Sequence, residues 1–507
     1  VILILALSLV SGAANTDPNP PDVPAGMTPP LLGTAVVGDG GATAALDAFG
    51  SVVNLRFGPG GPLAGSARQL PAWVPEGTLF IPKVKIGRDP PQRLWRADAI
   101  QQRYLRDTNV LRTVARFGRR QVVEIAAARG DVFGLTITAP SPNGSRAFLE
   151  VPPDVGRRCV GSQERGWVRT FSLLCGGRPV PAERVDGEVR RIWHAAAAAD
   201  RRWLRTPRSL SPGAPQWADR LYRRSLLALH TLTDSRTGAV AAGAREGWAY
   251  VWPRDASAVA LALDSAGLDA DSRRVAHFLL DLDLRAAARF GGRGQPVPGR
   301  DYQGDAAGWT AAAATAVGIR VPPMPSGSWR GLPDYQEKTP GDLLGNAISA
   351  ELGARFPAGF LTQQGLVRVS GEPGSGLDSA AAWAVRPFTQ PALFKAARMT
   401  MLRLTRAGGR FGILPGEDWP EQDPWSAPTA WTAWSLAALS RTEDDDRGAL
   451  VDRRAALRLL DALRRSTTPT GLIPERVDAV TGIPRSTTPL AWSHAFAILA
   501  LRELWPN

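Results

Sequence analysis

Lysine is almost absent from this chain. Lys83, Lys85, Lys338 and Lys395 are the whole set, and the rest of the 60 basic residues are arginine, against 47 acidic ones. A formal charge of +13 would suit nucleic acid if the cations were gathered. They are dispersed, with no run of five and no alternation with aromatics. A solvated basic surface accounts for them, and no nucleic-acid partner is expected. Cysteine is scarcer still: Cys159 and Cys175, in two short strand-like segments. Two thiols cannot build a zinc site alone, and His194, His230, His277 and His494 are scattered. HExxH, CxxC and P-loop patterns are missing. Gly58, Gly60 and Gly61 sit among prolines with no helix following, which excludes a dinucleotide fingerprint. Neither a metal nor a cofactor is therefore expected. The cysteine pair leaves two readings open, a buried free pair or a disulfide, and the second suits an exported protein.

Long apolar runs are also lacking, with one exception. Val1 to Val10 is apolar apart from Ser8, and the small residues Ser11-Gly12-Ala13-Ala14 follow. The run is too short to span a bilayer as a standard helix and reads as the core and cleavage site of a signal peptide. It carries no charged leading region, and the first residue is Val. Residues 1–14 are therefore read as a signal peptide or an anchor. The expected location is secreted or membrane-anchored outside the cytoplasm, with any tether at this end.

What is present is ordinary globular composition, 44% hydrophobic and 21% charged over 507 residues, a length that favours two or more domains. Residues 15–30 are rich in Pro, Asn and Asp and read as a linker. From 31 to 200 the pattern is short β-branched or alternating runs broken by Gly and Pro, such as Ser51–Phe57 and Gln121–Ile125. Many short strands at this spacing predict a β-sandwich. A Pro/Ser/Arg stretch over 201–214 marks a second linker. From 215 to 507 the period becomes helical. Amphipathic stretches recur at 216–233, 254–266, 270–288, 304–317, 341–354, 389–405, 427–440, 447–465 and 489–503. Helices paired in series can close into a toroid with their loops gathered at one end.

Those loops hold the chemistry. Acidic residues stand beside aromatics in Tyr250–Asp255, Tyr302–Trp309, Asp334–Lys338, Gly416–Trp419 and Leu472–Arg476. Flat aromatic faces stack on sugar rings, and carboxylates with arginine bind sugar hydroxyls. Cleavage of a glycosidic bond needs two carboxyl groups flanking it. Any one such loop could simply cap and pack helices. Five in one helical region point to a saccharide.

At this point the residues resemble a known family, glycoside hydrolase family 15, the glucoamylases and their bacterial relatives. The likeness runs through nearly all of the chain after residue 30. Ala44–Val52 is similar to the family's opening hairpin, and Tyr104–Leu111 to a distinctive stretch of its β-supersandwich. Trp252-Pro253-Arg254-Asp255-Ala256 resembles its WxRDA element. Gly412–Trp419 with Pro424-Trp425 resembles its substrate-binding loop. Gly471–Val477 and Pro489–Ala495 resemble its closing LPEQ and WSHA elements, the most specific match.

The resemblance implies an N-terminal β-supersandwich followed by an (α/α)6-type toroid, and an inverting, exo-acting α-glucoside hydrolase that releases β-glucose without a metal. Starch-like glucans, isomalto-oligosaccharides and trehalose are the implied substrates. Glu337 falls at the general acid and Glu475 at the general base. Arg254, Asp255, Glu417 and Asp418 match binders of sugar hydroxyls. Trp252, Trp309, Trp425 and Trp492 are candidate stacking walls, and Asp305 belongs to the same candidate set.

Some positions depart from the family. Gln336 stands where Trp usually precedes the acid, and Lys338 where many members have a second carboxylate. Glu246–Tyr250 replaces a pattern that often reads WDYRY. A competing reading is therefore a degenerate, non-catalytic carbohydrate-binding envelope protein of the same fold. It is told apart by whether Glu337 and Glu475 face one cleft. A phosphorolytic enzyme of related architecture would need a phosphate pocket in place of the base, and Glu475 argues against it.

Overall fold

The computed structural model describes residues 33–56, 80–139, 146–150, 159–162, 169–244, 247–322, 325–337, 341–351, 355–442 and 445–507. The signal or anchor over 1–14, the linker over 15–30, Gly58, Gly60, Gly61, Glu246 and Lys338 lie outside the described residues.

The front of the chain is rich in sheet. Strands β1 (Gly33–Gly38), β2 (Thr43–Asp47) and β3 (Val52–Arg56) form one antiparallel sheet. A second sheet joins β4 (Ile81–Lys85) to β5 (Gln92–Arg93) and to β10 (Arg146–Glu150). The largest is antiparallel and contains β6 (Ala99–Tyr104), β7 (Leu111–Phe117), β8 (Arg120–Arg129), β9 (Val132–Thr138), β11 (Cys159–Gly161) and β12 (Thr170–Gly176). Its strands alternate as a half-buried sheet should: Leu111, Thr113 and Ala115 on β7 are buried, while Arg112 and Val114 between them are less so. Cys159 and Cys175 are directly opposite across β11 and β12 and form a disulfide.

Helix α1 (Val185–Trp203) ends the stretch expected to be strands, 31–200, and runs into the one expected to be a linker, 201–214. Val185, Val189, Ile192 and Ala196 form its buried stripe, and they pack on β8, β9 and β12.

Behind this the chain is helical: α2 (Gln216–Leu232), α3 (Pro253–Ser265), α4 (Asp269–Leu280), α5 (Ala306–Ala316), α6 (Leu344–Ala350), α7 (Phe394–Ala407), α8 (Ser426–Thr442), α9 (Asp446–Arg465) and α10 (Ala491–Leu504). A short 3-10 segment, Ser379–Ala384, takes a helix's place between α6 and α7. Contacts run in a closed cycle from α3 to α5, α6, the 3-10 segment, α8, α10 and back to α3. Helices α2, α4, α7 and α9 pack against members of that cycle. The residues explain the order. α8 and α10 are apolar on nearly every side, as enclosed helices must be, whereas α9 buries one stripe through Ala456, Leu459, Leu460 and Leu463. Gly308 lets α5 approach α6, since a Cβ there would lie 2.2 Å from the Ser349 carbonyl oxygen.

The two parts share one apolar core, and polar contacts fix their register. Asn109 Nδ2 donates to Thr231 Oγ1 at 2.8 Å and to the Leu227 carbonyl at 3.1 Å, both on α2. The Arg224 guanidinium lies over the Tyr104 ring at 4.0 Å. The Tyr104–Leu111 motif is thus where the sheets grip the helices. No described helix is long and apolar enough to cross a membrane.

Candidate active site

The site gathers where the members of the helical cycle begin. Pro253 opens α3, a position where its missing N–H costs nothing, and puts Arg254 and Asp255 in the first turn. Asp305 directly precedes α5, Trp425 precedes α8, and Trp492 sits at the start of α10.

Glu475 is held by backbone and side chain together. Its N–H donates to the Thr487 carbonyl at 3.0 Å, and its carbonyl accepts the Ser426 N–H at 3.0 Å from the start of α8. Trp248 Nε1 donates to its Oε1 at 3.4 Å, and the Ser486 hydroxyl donates to its Oε2. One carboxylate thus has two fixed donors.

Glu337 ends a tight turn. Its N–H donates to the Asp334 carbonyl at 2.9 Å, and its φ is +58°, a left-handed conformation uncommon for a side-chain-bearing residue. The carboxylate ion-pairs with Arg300 and accepts from Gln303 Nε2 at 3.5 Å. Gln336 works behind it. Its amide donates to Tyr335 Oη at 2.9 Å and to Asp378 Oδ2 at 3.0 Å, tying the turn to a buried acid. Asp334 and Asp378 flank the fully buried Arg368; burial, opposed by Arg368, pushes them up to about 7 and about 6.

The two glutamates belong to one network. Gln303 Oε1 accepts from Arg254 Nη1 at 2.9 Å, and Arg254 pairs with Asp305 at 2.8 Å and Asp255 at 3.5 Å. Glu475 acts electrostatically on both Asp255 and Arg300. Arg300 therefore touches one glutamate and feels the other. Burial pushes the Asp255 carboxyl up to about 7; Arg254 pulls against this, while Asp305 and Glu475 add to it. Burial opposes the charge on Arg254, but Asp305 and Asp255 outweigh it and hold the guanidinium above its usual range.

The remaining candidates divide. Trp252 is 7% exposed and its ring stands 6.5 Å from that of Tyr250. Trp492 lies under Arg254, 4.7 Å from its guanidinium carbon, and so supports the cation. Trp425 is half-buried, edge-on to Trp419 at 5.0 Å. Trp309 is not a stacking wall: it is fully buried, edge-on to Trp383 at 5.1 Å and Phe388 at 5.3 Å, because α5 turns it into the cycle's interior. Asp305 is also fully buried and holds Arg254. Glu417 is engaged by Arg403 at 2.8 Å and by the Leu377 N–H at 3.1 Å, which leaves it a brace for its loop. Asp418 is open to solvent, 3.7 Å from Arg368.

Trp248, Ser486, Arg300 and Gln303 join the site without having been singled out as site residues. Gln303 lies within the Tyr302–Trp309 constellation and Arg300 two residues before it, and Trp248 lies in the stretch noted as a departure, so proximity to those motifs was the available signal. Among the described residues no group of three or more His, Cys, Asp or Glu could hold a metal ion.

The fold is glucoamylase-like, sheet-rich in front and helical behind. A bacterial glucoamylase complexed with acarbose superposes with a TM-score of 0.66 over 96% of this chain and 95% of that one, at 11% identity. A glucoamylase from Saccharomycopsis fibuligera gives 0.47 over 57% of this chain and 94% of its own, at 13% identity. A family 15 glucoamylase from Hypocrea jecorina gives 0.40 over 57% and 72%, at 13% identity. No family model matches the sequence, and no curated protein does.

Proposed function

We propose that this protein is an inverting, exo-acting α-glucoside hydrolase, with its helical cycle acting as the (α/α)6-type toroid and its sheets as the supersandwich. One observation supports the reading: Glu337 and Glu475, far apart in sequence, stand in one charged cluster, with Arg300 ion-paired to Glu337 and within electrostatic range of Glu475. Glu337 protonates the glycosidic oxygen as the C–O bond breaks. Glu475 takes a proton from the water that attacks the opposite face of the sugar. Trp248 and Ser486 fix the base, and Arg254 with Asp255 forms the floor under the terminal sugar. Inversion calls for the two carboxyls to stand roughly 6.5–9.5 Å apart, which leaves room for a water. Starch-like glucans, isomalto-oligosaccharides and trehalose are the neutral candidates. The disulfide supports a location outside the cytoplasm, secreted or anchored.

The test is sugar release from a panel of α-glucosides by wild type and Glu475→Gln, with NMR of the fresh product. β-Glucose first, and loss of most turnover in the variant, is the expected result. An α-anomer first would reject inversion. One observation favours the non-catalytic reading: Arg300 occupies the Glu337 carboxylate that a glycosidic oxygen would have to reach. Binding without hydrolysis of any α-glucoside would select that reading.

A further inference from the structure

Three arginines stand at the site, and they are not equivalent. Arg254 is matched by Asp305 and Asp255, and Arg300 by Glu337. Arg289 has no carboxylate partner among the described residues. It is 92% buried by the complement of its 8% exposure, and its Nη1 makes one long hydrogen bond, 3.4 Å, to the Gly247 carbonyl, while its buried Nε has no partner. Its guanidinium lies 4.9 Å from the Tyr250 ring centre and 5.7 Å from that of Trp252, and the Gly247 carbonyl it contacts directly precedes Trp248, which donates to Glu475.

Arg289 and Arg300 share one loop, closed by the Ala288 N–H donating to the Arg300 carbonyl at 3.2 Å and the Val297 N–H to the Arg289 carbonyl at 3.0 Å. Phe290 exchanges backbone hydrogen bonds with Val251 at 2.8 Å, which fixes the loop to the segment leading into Trp252 and Arg254. The backbone pairing holds the two arginines on facing arms of the loop, so each adds to the positive potential around the other, and burial followed by Arg289 disfavours the charge on Arg300. A buried, unmatched guanidinium beside a second one is costly unless an anion neutralises it. Arginine's planar fork suits carboxylate and phosphate alike.

We propose that Arg289 and Arg300 form an anion-binding subsite beside Glu337, which takes a carboxylate or phosphate carried by the sugar. This rests on the hydrolase reading and moves its preferred substrate from the neutral α-glucosides named above to their anionic counterparts. It also gives Arg300 a second partner. An anion drawn between the two arginines loosens Arg300 from Glu337, so the acid is freed more readily when the matching substrate is bound.

The experiment compares calorimetric binding of methyl α-D-glucopyranoside, its C6 uronate and its 6-phosphate in a low-chloride buffer. Hydrolysis of the corresponding nitrophenyl glycosides is followed in parallel. At least one anionic sugar should bind about tenfold tighter than the neutral one, the scale of one charge-assisted hydrogen bond. Whichever is preferred separates carboxylate from phosphate. The preference should fall with added salt, vanish in Arg289→Gln, and survive in part in Arg289→Lys. Each preference is a ratio within one protein, so a partly unfolded variant does not mimic the result. Equal or tighter binding of the neutral sugar overturns the subsite, and so does an anionic preference that Arg289→Gln leaves intact. Neutral glucosides cleaved without anionic preference leave the hydrolase standing. Anionic binding with no hydrolysis rejects the hydrolase and keeps the subsite.

Discussion

His494 Nε2 accepts the backbone N–H of Ile473 at 3.0 Å, while its Nδ1 lies 2.9 Å from Ser225 Oγ. An N–H donor on Nε2's side leaves the ring proton on Nδ1, donated to the serine. The ring thus clamps α10 to α2 and to the loop two residues ahead of Glu475. Burial, with Arg224 nearby, lowers His494 to about 3. The folded protein refuses a proton that the unfolded chain accepts below about 6.5. This contribution is present above pH 6.5 and is lost as pH falls towards 3. His494→Gln should flatten the acid-side loss of stability, read as urea midpoints between pH 7 and 4.5. Parallel curves for both proteins would dismiss the clamp as a titrating element.

Asp255 sets the opposite slope. Its carboxyl, pushed up to about 7 chiefly by burial, binds a proton in the folded state that the unfolded chain releases near 3.9, roughly its free value. Stability from it is present below that pH and lost as pH rises through about 7. Asp334, Asp378 and Asp200, raised to about 7, 6 and 6, share the trend. Asp255→Asn should therefore remove part of the fall in urea midpoint between pH 5 and 8. An undiminished fall would assign it to the other acids.

The junction of sheets and helices should break at Asn109. Its Nδ2 serves Thr231 and Leu227, its Oδ1 accepts from Arg224, and its N–H donates to Asp200 at 2.7 Å. Asn109→Ala leaves buried partners unmatched and should cost about 2–4 kcal/mol, the scale of one or two unsatisfied buried groups. Chemical unfolding measures it. A loss below about 0.5 kcal/mol would mean water replaces the amide.

Much of the helical half was legible because its helices carry an apolar period, as α9 does through Ala456, Leu459 and Leu463. The 3-10 segment Ser379–Ala384 was not read, because six residues span too few turns to show one. α1 escaped because its stripe follows a run of strands and is diluted by Arg190, Arg191, Arg201 and Arg202. At the site, Glu337 and Glu475 stood out through their motifs. Trp309 misled because an acid-aromatic neighbourhood in sequence does not say which way a ring faces. Arg300 and Ser486 had no signal of their own; their roles arise only when separate loops meet.

Glu337 leaves its turn at φ +58°, with Arg300 on one oxygen and Gln303 3.5 Å from the other. A general acid matters most when the leaving group is poor, because the departing oxygen then needs a proton to leave. Glu337→Gln keeps the shape and removes the proton. Its kcat on oligosaccharides should fall by about 100-fold or more, within the range general acid–base catalysis supplies. On nitrophenyl glycosides, whose phenol leaves unaided, the fall should be several-fold at most. The two substrates share the sugar and its binding, so the contrast isolates the proton. KM should move little for either. An equal fall on both would make Glu337 a positioning residue, and no fall on either would return the protein to the binding reading, with the Arg300–Glu337 pair as a closed acid loop.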